Sequence, residues 1–273
     1  MSWTERQAQM LRAMGLRLWL PGSASASSAA ATAVVTAVAK EVAPAPAPAS
    51  ASALTPTQHT PATERTAALA PTPLAPAPPV AGLDWAELQQ AVTGCRACGL
   101  CESRTQTVFG AGHLQAHWLI VGEAPGAQED AQGEPFVGPS GHLLDAMLQA
   151  LGLSRQPGGE PQRSVYITNT LKCRPPANRN PQPQEMVQCA PYLQRQIELL
   201  QPRIVVAMGR FAAQALLRDE RPLGQLRGQV HRVGGRPLVV TYHPSYLLRS
   251  PTEKAKAWAD LCLAASTAEL APA

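Results

Sequence analysis

His117-Trp118-Leu119-Ile120-Val121-Gly122-Glu123-Ala124-Pro125-Gly126 joins an apolar, β-rich run to a turn that carries an acid. Three runs of the same kind follow at residues 165–170, 204–208 and 238–241, each bounded by polar or turn residues. Between and around them, helix-like patterns occupy about 141–151, 184–200, 211–217 and 253–265. Strands that alternate with helices connect by right-handed crossovers, which makes the sheet mainly parallel and covers both of its faces. The fold class is therefore α/β.

In an open parallel sheet the ligand site lies at the carboxyl ends of the strands. The residues at those ends are Gly122 and Glu123 after the first run, Asn169 at the end of the second, Gly209 after the third, and His243 after the fourth. One acid, one amide and one imidazole thus converge on a single edge. A lone strand-end Asn or His is usually a turn or cap residue. Their joint placement points to a binding cleft.

Outward from this core the chain changes character. From Gly22 to about Gly82 it is nearly all Ala, Pro, Ser, Thr and Val, with ten prolines between Pro44 and Pro79. Too few large apolar side chains are present to offset the entropy of ordering such a stretch, so it reads as a disordered linker. Residues 1–20 form a short amphipathic helix with a capping-box pattern at Ser2 and Glu5, a candidate docking element for a protein partner. The expected organisation is helix 1–20, linker 21–82, one folded domain 83–265 and a tail 266–273. Charge is split as well: residues 84–162 carry three basic against nine acidic side chains, and residues 163–256 carry fifteen against five. A basic C-terminal half suits a polyanion such as DNA. Arg12 and Arg17 interrupt the apolar stretch near the start, so no export or membrane signal is read and a cytoplasmic monomer is expected.

Six cysteines in such a compartment are more readily metal ligands or buried thiols than disulfides. Cys95-x2-Cys98 precedes the first strand, Cys173 follows the second, and Cys189 lies in the next helix. Two ligands from a tight turn and two from a distant segment make a four-thiolate site for zinc or a [4Fe–4S] cluster, and spacing does not choose between them. Cys98-x2-Cys101 is an equally good pair, and Cys262 reads as a buried structural thiol.

Taken in order, Cys95-x2-Cys98, Gly122-Glu123-Ala124-Pro125-Gly126, Pro135-Phe136-Val137-Gly138, Tyr166-Ile167-Thr168-Asn169, Lys172-Cys173-Arg174-Pro175-Pro176, Asn178 and His243-Pro244-Ser245-Tyr246-Leu247-Leu248-Arg249 resemble the family 4 uracil-DNA glycosylases. The resemblance implies a three-layer α/β/α sandwich around a four-stranded sheet, removal of uracil from DNA without strand cleavage, and a structural [4Fe–4S] cluster on Cys95, Cys98, Cys173 and Cys189. No histidine occurs among Cys173–Asn180, where one relative in the superfamily traps its product covalently, so ordinary turnover is expected.

A glycosylase must extrude its base, recognise it, and stabilise an oxocarbenium-like sugar while the base leaves as an anion. By the resemblance, Phe136 stacks the base, Asn169 reads the N3–H donor and O4 acceptor of uracil, and His243 donates to O2. Gly122 and Ala124 line the base site. Ala124 stands where the classical glycosylases of the superfamily carry an aspartate, so water activation moves elsewhere: to Asn178 and Glu129, with Glu123 shaping the pocket. Arg249 holds a phosphate, and Leu247 or Leu248 is the wedge that fills the gap in the stack. Two other readings are a non-catalytic DNA-binding or recruitment module and an iron–sulfur electron carrier, the latter disfavoured by the absence of a second cluster or flavin motif.

Overall fold

The computed structural model of this chain describes residues 79–270. Helix 1–20 and nearly all of the Ala/Pro-rich linker lie outside the described residues, as do residues 271–273. Among the described residues six strands are present: β1 (Ala111–Gly112), β2 (Trp118–Gly122), β3 (Val165–Asn169), β4 (Ile204–Met208), β5 (Val230–Val233) and β6 (Arg236–Thr241). The helices are α1 (Trp85–Thr93), α2 (Leu100–Ser103), α3 (Ala127–Gln132), α4 (Pro139–Ala150), α5 (Pro183–Leu200), α6 (Arg210–Leu217), α7 (Leu223–Leu226), α8 (Pro244–Arg249) and α9 (Lys254–Leu270).

The strands form one sheet in the order β1-β3-β2-β4-β6-β5. β3, β2, β4 and β6 are parallel, as expected, with Gly122 opposite Asn169 and Met208 opposite Thr241 at their carboxyl ends. The sheet has two strands more than the expected four, β1 and β5, which run antiparallel along its two edges. β1 has only two residues, too short for any pattern. β5 alternates exposed and half-buried positions, His231 and Arg232 among them, and turns into β6 through Gly234-Gly235, both at positive φ.

Successive strand residues face opposite sides, so a sheet covered on both sides needs apolar residues at every position. β2, β3 and β4 are buried throughout. On one face Ile120, Ile167, Val206 and Val239 pack against Leu144, Met147 and Leu148 of α4 and Trp258 and Leu261 of α9. On the other, Leu119, Val121, Val205 and Val240 meet Leu193 and Ile197 of α5 and Ala212 and Ala213 of α6. Each such side chain contributes about 1.5–3 kcal/mol by leaving water. The three-layer sandwich follows.

α1 starts at a capping box: the Glu87 N–H donates to Asp84 Oδ1 at 2.9 Å and the Asp84 N–H to Glu87 Oε2 at 2.8 Å. Its Leu88 and Val92 pack with Val80, Phe109 and Tyr192, and Cys95 and Cys189 border this cluster. The folded part thus includes Val80, just before the expected boundary at 83. At the other end α9 runs to Leu270, past the expected stop at 265. Among the described residues no helix is long and apolar enough to cross a membrane.

Candidate active site

The carboxyl ends of the parallel strands open onto a cleft of about 700 Å³. Glu123, Ala124, Glu129, Phe136, Asn169, Asn178, His243 and Arg249 all line it, so the residues singled out along the sequence are brought together in one place. Gly122 lies beneath them. A Cβ on Gly122 would run into Asn169 Oδ1 and the Phe136 ring, so the absence of a side chain there lets the amide and the ring approach each other.

Asn169 ends β3 and is 2% exposed, yet its Nδ2 has no hydrogen-bond partner. Leaving a buried donor unpaired costs about 1–3 kcal/mol, which suits a group that awaits a ligand. Phe136 is 4% exposed and stacks on His243, with ring centroids 5.3 Å apart and an angle of 29° between planes. Its φ of 55° is rarely adopted by a bulky side chain. Two neighbours hold it there. Gly141 leaves the space that the Phe136 carbonyl occupies. Glu129 accepts from the Val137 N–H at 3.1 Å and the Gly138 N–H at 3.2 Å through Oε1, and from the Gly126 N–H at 3.0 Å through Oε2.

His243 caps α8: its Nδ1 accepts from the Ser245 N–H at 3.2 Å and lies 2.8 Å from Ser245 Oγ. With Nδ1 the acceptor, the neutral ring carries its proton on Nε2. Burial, reinforced by the Arg249 charge and opposed by Glu129, brings its pKa down to about 4. The ring is neutral at physiological pH and is still a donor. Burial also raises the Glu123 carboxyl above the usual range, against the pull of Arg210.

Asn178 is exposed, follows Ala177 in a turn where both have positive φ, and its Oδ1 accepts from Arg174 Nε at 2.8 Å. Leu247 and Leu248, which the sequence left as equals, differ sharply here: Leu247 is fully buried and Leu248 is 45% exposed beside Tyr246 at 38%. Arg210, which sequence reasoning passed over, also lines the cleft, with its guanidinium 4.6 Å from the Phe211 ring centroid. Its signal was its place directly after Gly209 at the end of β4.

A second pocket is lined by Cys95, Cys98, Cys101, Cys173 and Cys189 among Val92, Leu100, Leu171 and Tyr192. Arg104 Nη1 donates to Cys173 Sγ at 3.0 Å and the Lys172 N–H to Cys189 Sγ at 3.3 Å. Such donors suit sulfur that carries negative charge. Burial raises the Cys98 and Cys173 thiols and pushes Cys189 up to about 12. Metal binding there must expel protons. Among the described residues no three His, Cys, Asp or Glu side chains close on one metal position. Five cysteine thiols line this one pocket, a donor set that suits a thiophilic metal group. Cys262 is half-buried against the core, away from this pocket.

Residues 109–262 match the family described as the uracil DNA glycosylase superfamily. The chain is 41% identical over 173 residues to a type-4 uracil-DNA glycosylase of Archaeoglobus fulgidus, a match that spans 60% of this chain and 83% of that relative. It is 39% identical over 189 residues to a type-4 uracil-DNA glycosylase of Pyrobaculum aerophilum, across 66% of this chain and 93% of the relative. A type-5 uracil-DNA glycosylase of Thermus thermophilus is 36% identical over 151 residues, across 50% of this chain and 68% of its own length. With that identity to type-4 members along most of their length, this chain belongs to the uracil DNA glycosylase superfamily, in its type-4 group.

Proposed function

We propose that the protein is a monofunctional uracil-DNA glycosylase that hydrolyses the N-glycosidic bond of uracil in DNA and leaves an abasic site. The observation that carries this reading is the buried, unpartnered amide of Asn169 facing Phe136 across Gly122. A flipped uracil stacks on Phe136 and offers Asn169 one donor and one acceptor. Cytosine presents the reverse pattern and leaves buried polar groups unpaired, at about 1–3 kcal/mol each.

As the bond from C1′ to N1 breaks, its electron pair leaves with uracil and charge develops on O2, where the Nε2–H of neutral His243 donates. Water adds to C1′, and the proton it gives up passes through solvent to the uracil anion. Asn178, through its amide nitrogen, and Glu123 orient that water, while Glu129, which accepts from the Val137 and Gly138 N–H groups, holds the Phe136 loop. Arg249 and Arg210 hold phosphates at the rim, and Leu248 is the wedge. Cys95, Cys98, Cys173 and Cys189 hold a [4Fe–4S] cluster, which supplies stiffness and no redox step, with Cys101 in reserve. The enzyme acts as a cytoplasmic monomer, with residues 1–20 docking a protein partner.

The test is incubation of the purified protein with a uracil-containing strand, followed by alkali. Cleavage at the uracil position is expected, and its loss in Asn169→Ala with visible absorbance retained supports the pocket. Intact strands after treatment with the wild-type protein would favour a non-catalytic DNA-binding module.

A further inference from the structure

Lys172 is among the largest fully buried side chains in the fold, at 1% exposure. Its Nζ lies 2.6 Å from Thr168 Oγ1, 2.7 Å from Gln196 Oε1 and 2.8 Å from the backbone carbonyl oxygen of Asn169. Thr168 donates its own O–H to the Phe109 carbonyl at 2.9 Å, and Gln196 donates Nε2 to the same carbonyl at 3.0 Å. Both therefore turn oxygen lone pairs toward Nζ. Three acceptors around one nitrogen require three N–H bonds, which only the ammonium has.

A buried ammonium is costly, and among the described residues no carboxylate pairs with it. Lys172 lines the thiol pocket together with Cys173 and Cys189. Its own backbone is held from both sides: the N–H donates to Cys189 Sγ at 3.3 Å, and the carbonyl accepts from the Val108 N–H at 2.8 Å. Lys172 thus bridges the thiol pocket and the peptide of Asn169, the last residue of β3. Between Asn169 and Lys172 the chain is tied to the turn after β2 by the Thr170 N–H and hydroxyl on the Gly122 carbonyl and by the Leu171 N–H on the Glu123 carbonyl.

We infer that Lys172 is a positioning residue for base recognition: its ammonium clamps the Asn169 peptide and so sets the carboxamide in the pose that reads uracil. This rests on Asn169 being the uracil reader, as proposed above. It gives the thiol segment a part in specificity, because Lys172 precedes Cys173 and its N–H is bonded to Cys189.

The test uses the full-length holoprotein and three measurements: inhibition by free uracil, affinity for DNA with an abasic-site analogue, and iron content with visible absorbance. In Lys172→Met the free-uracil inhibition constant is expected to rise about tenfold or more, as for one lost charge-assisted contact, with kcat/KM on uracil-DNA falling at least as far. Abasic-DNA affinity stays within about twofold and iron content is retained, because no base is read there. Thr168→Val, which removes one acceptor and keeps side-chain shape, gives about a threefold rise in the same constant. Unchanged uracil inhibition in Lys172→Met, or uracil and abasic-DNA binding weakening in parallel, would overturn the inference. Should Lys172→Met not fold, unchanged uracil inhibition in Thr168→Val overturns it instead. A wild-type protein that does not bind free uracil refutes the reading of Asn169 itself, an outcome distinct from both.

Discussion

Acidification from about pH 8 to about pH 5 leaves the uracil-release step almost unchanged if the neutral form of His243 is the working donor. An ordinary histidine, with a pKa near 6.5, would be roughly three-quarters protonated at about pH 6. With burial, and the Arg249 charge behind it, bringing His243 down to about 4, only about 1% is protonated at that pH. The assay is the single-turnover rate of uracil release, with enzyme in excess over a uracil-containing strand, measured across this range. The rate should show no inflection between about pH 6 and 7.5 and should bend only as the pH nears 5 and below. Arg249→Gln removes the second cause of the depression and leaves burial in place, so the bend should move upward by less than about one pH unit. An inflection near 6.5 that disappears in His243→Asn would refute the argument. Stability carries the same signature. The unfolded histidine takes its proton near 6.5 and the folded one near 4, so between those values the unfolded state binds more protons. The full stability is present above about pH 6.5 and is lost as the pH falls toward 4, by at most about 3 kcal/mol for this partly exposed ring.

Gly122→Ala places a methyl group against the Asn169 amide and the Phe136 ring; excision should fall by about a hundredfold or more, while affinity for abasic DNA is kept. Leu248→Ala should lower the rate on duplex substrate by about five- to tenfold and leave a single strand unaffected, since only a duplex has a stack to fill. Leu247→Ala should instead cost about 2–5 kcal/mol in urea unfolding. Glu129→Gln turns an NH₂ group toward a backbone N–H and frees the Phe136 loop; free-uracil inhibition should weaken about tenfold. A fall in kcat with that inhibition unchanged would return Glu129 to the water.

The four parallel strands were legible because β2, β3 and β4 are buried throughout and β6 from Leu238 on, so each reads as a mainly apolar, β-rich run. The edge strands were not, since a half-solvated edge such as Val230–Val233 mixes polar and apolar residues as a loop does. Strand-end geometry also made Glu123, Asn169 and His243 legible as one cluster before any fold was known. Individual tasks were harder to read. The engagement of the Glu129 carboxylate depends on where the chain returns eight and nine residues later. The choice between Leu247 and Leu248 depends on the rotational phase of a six-residue helix, too short to show a period. Lys172 stood in a recognisable motif, but nothing in sequence announces that its acceptors come from Thr168, Asn169 and Gln196.

The thiol pocket draws on three chain segments that meet only after the sheet exists: the turn after α1, the residues following β3, and the middle of α5. Ligands that far apart in sequence gain little from local chain stiffness, so the large entropy of closing those loops falls on the protein fold. The proposed cluster would then be loaded late in maturation, after β3 and α5 have docked. Because α1 packs beside Cys95 and Cys189, loading should slow proteolysis of α1 relative to the unloaded protein.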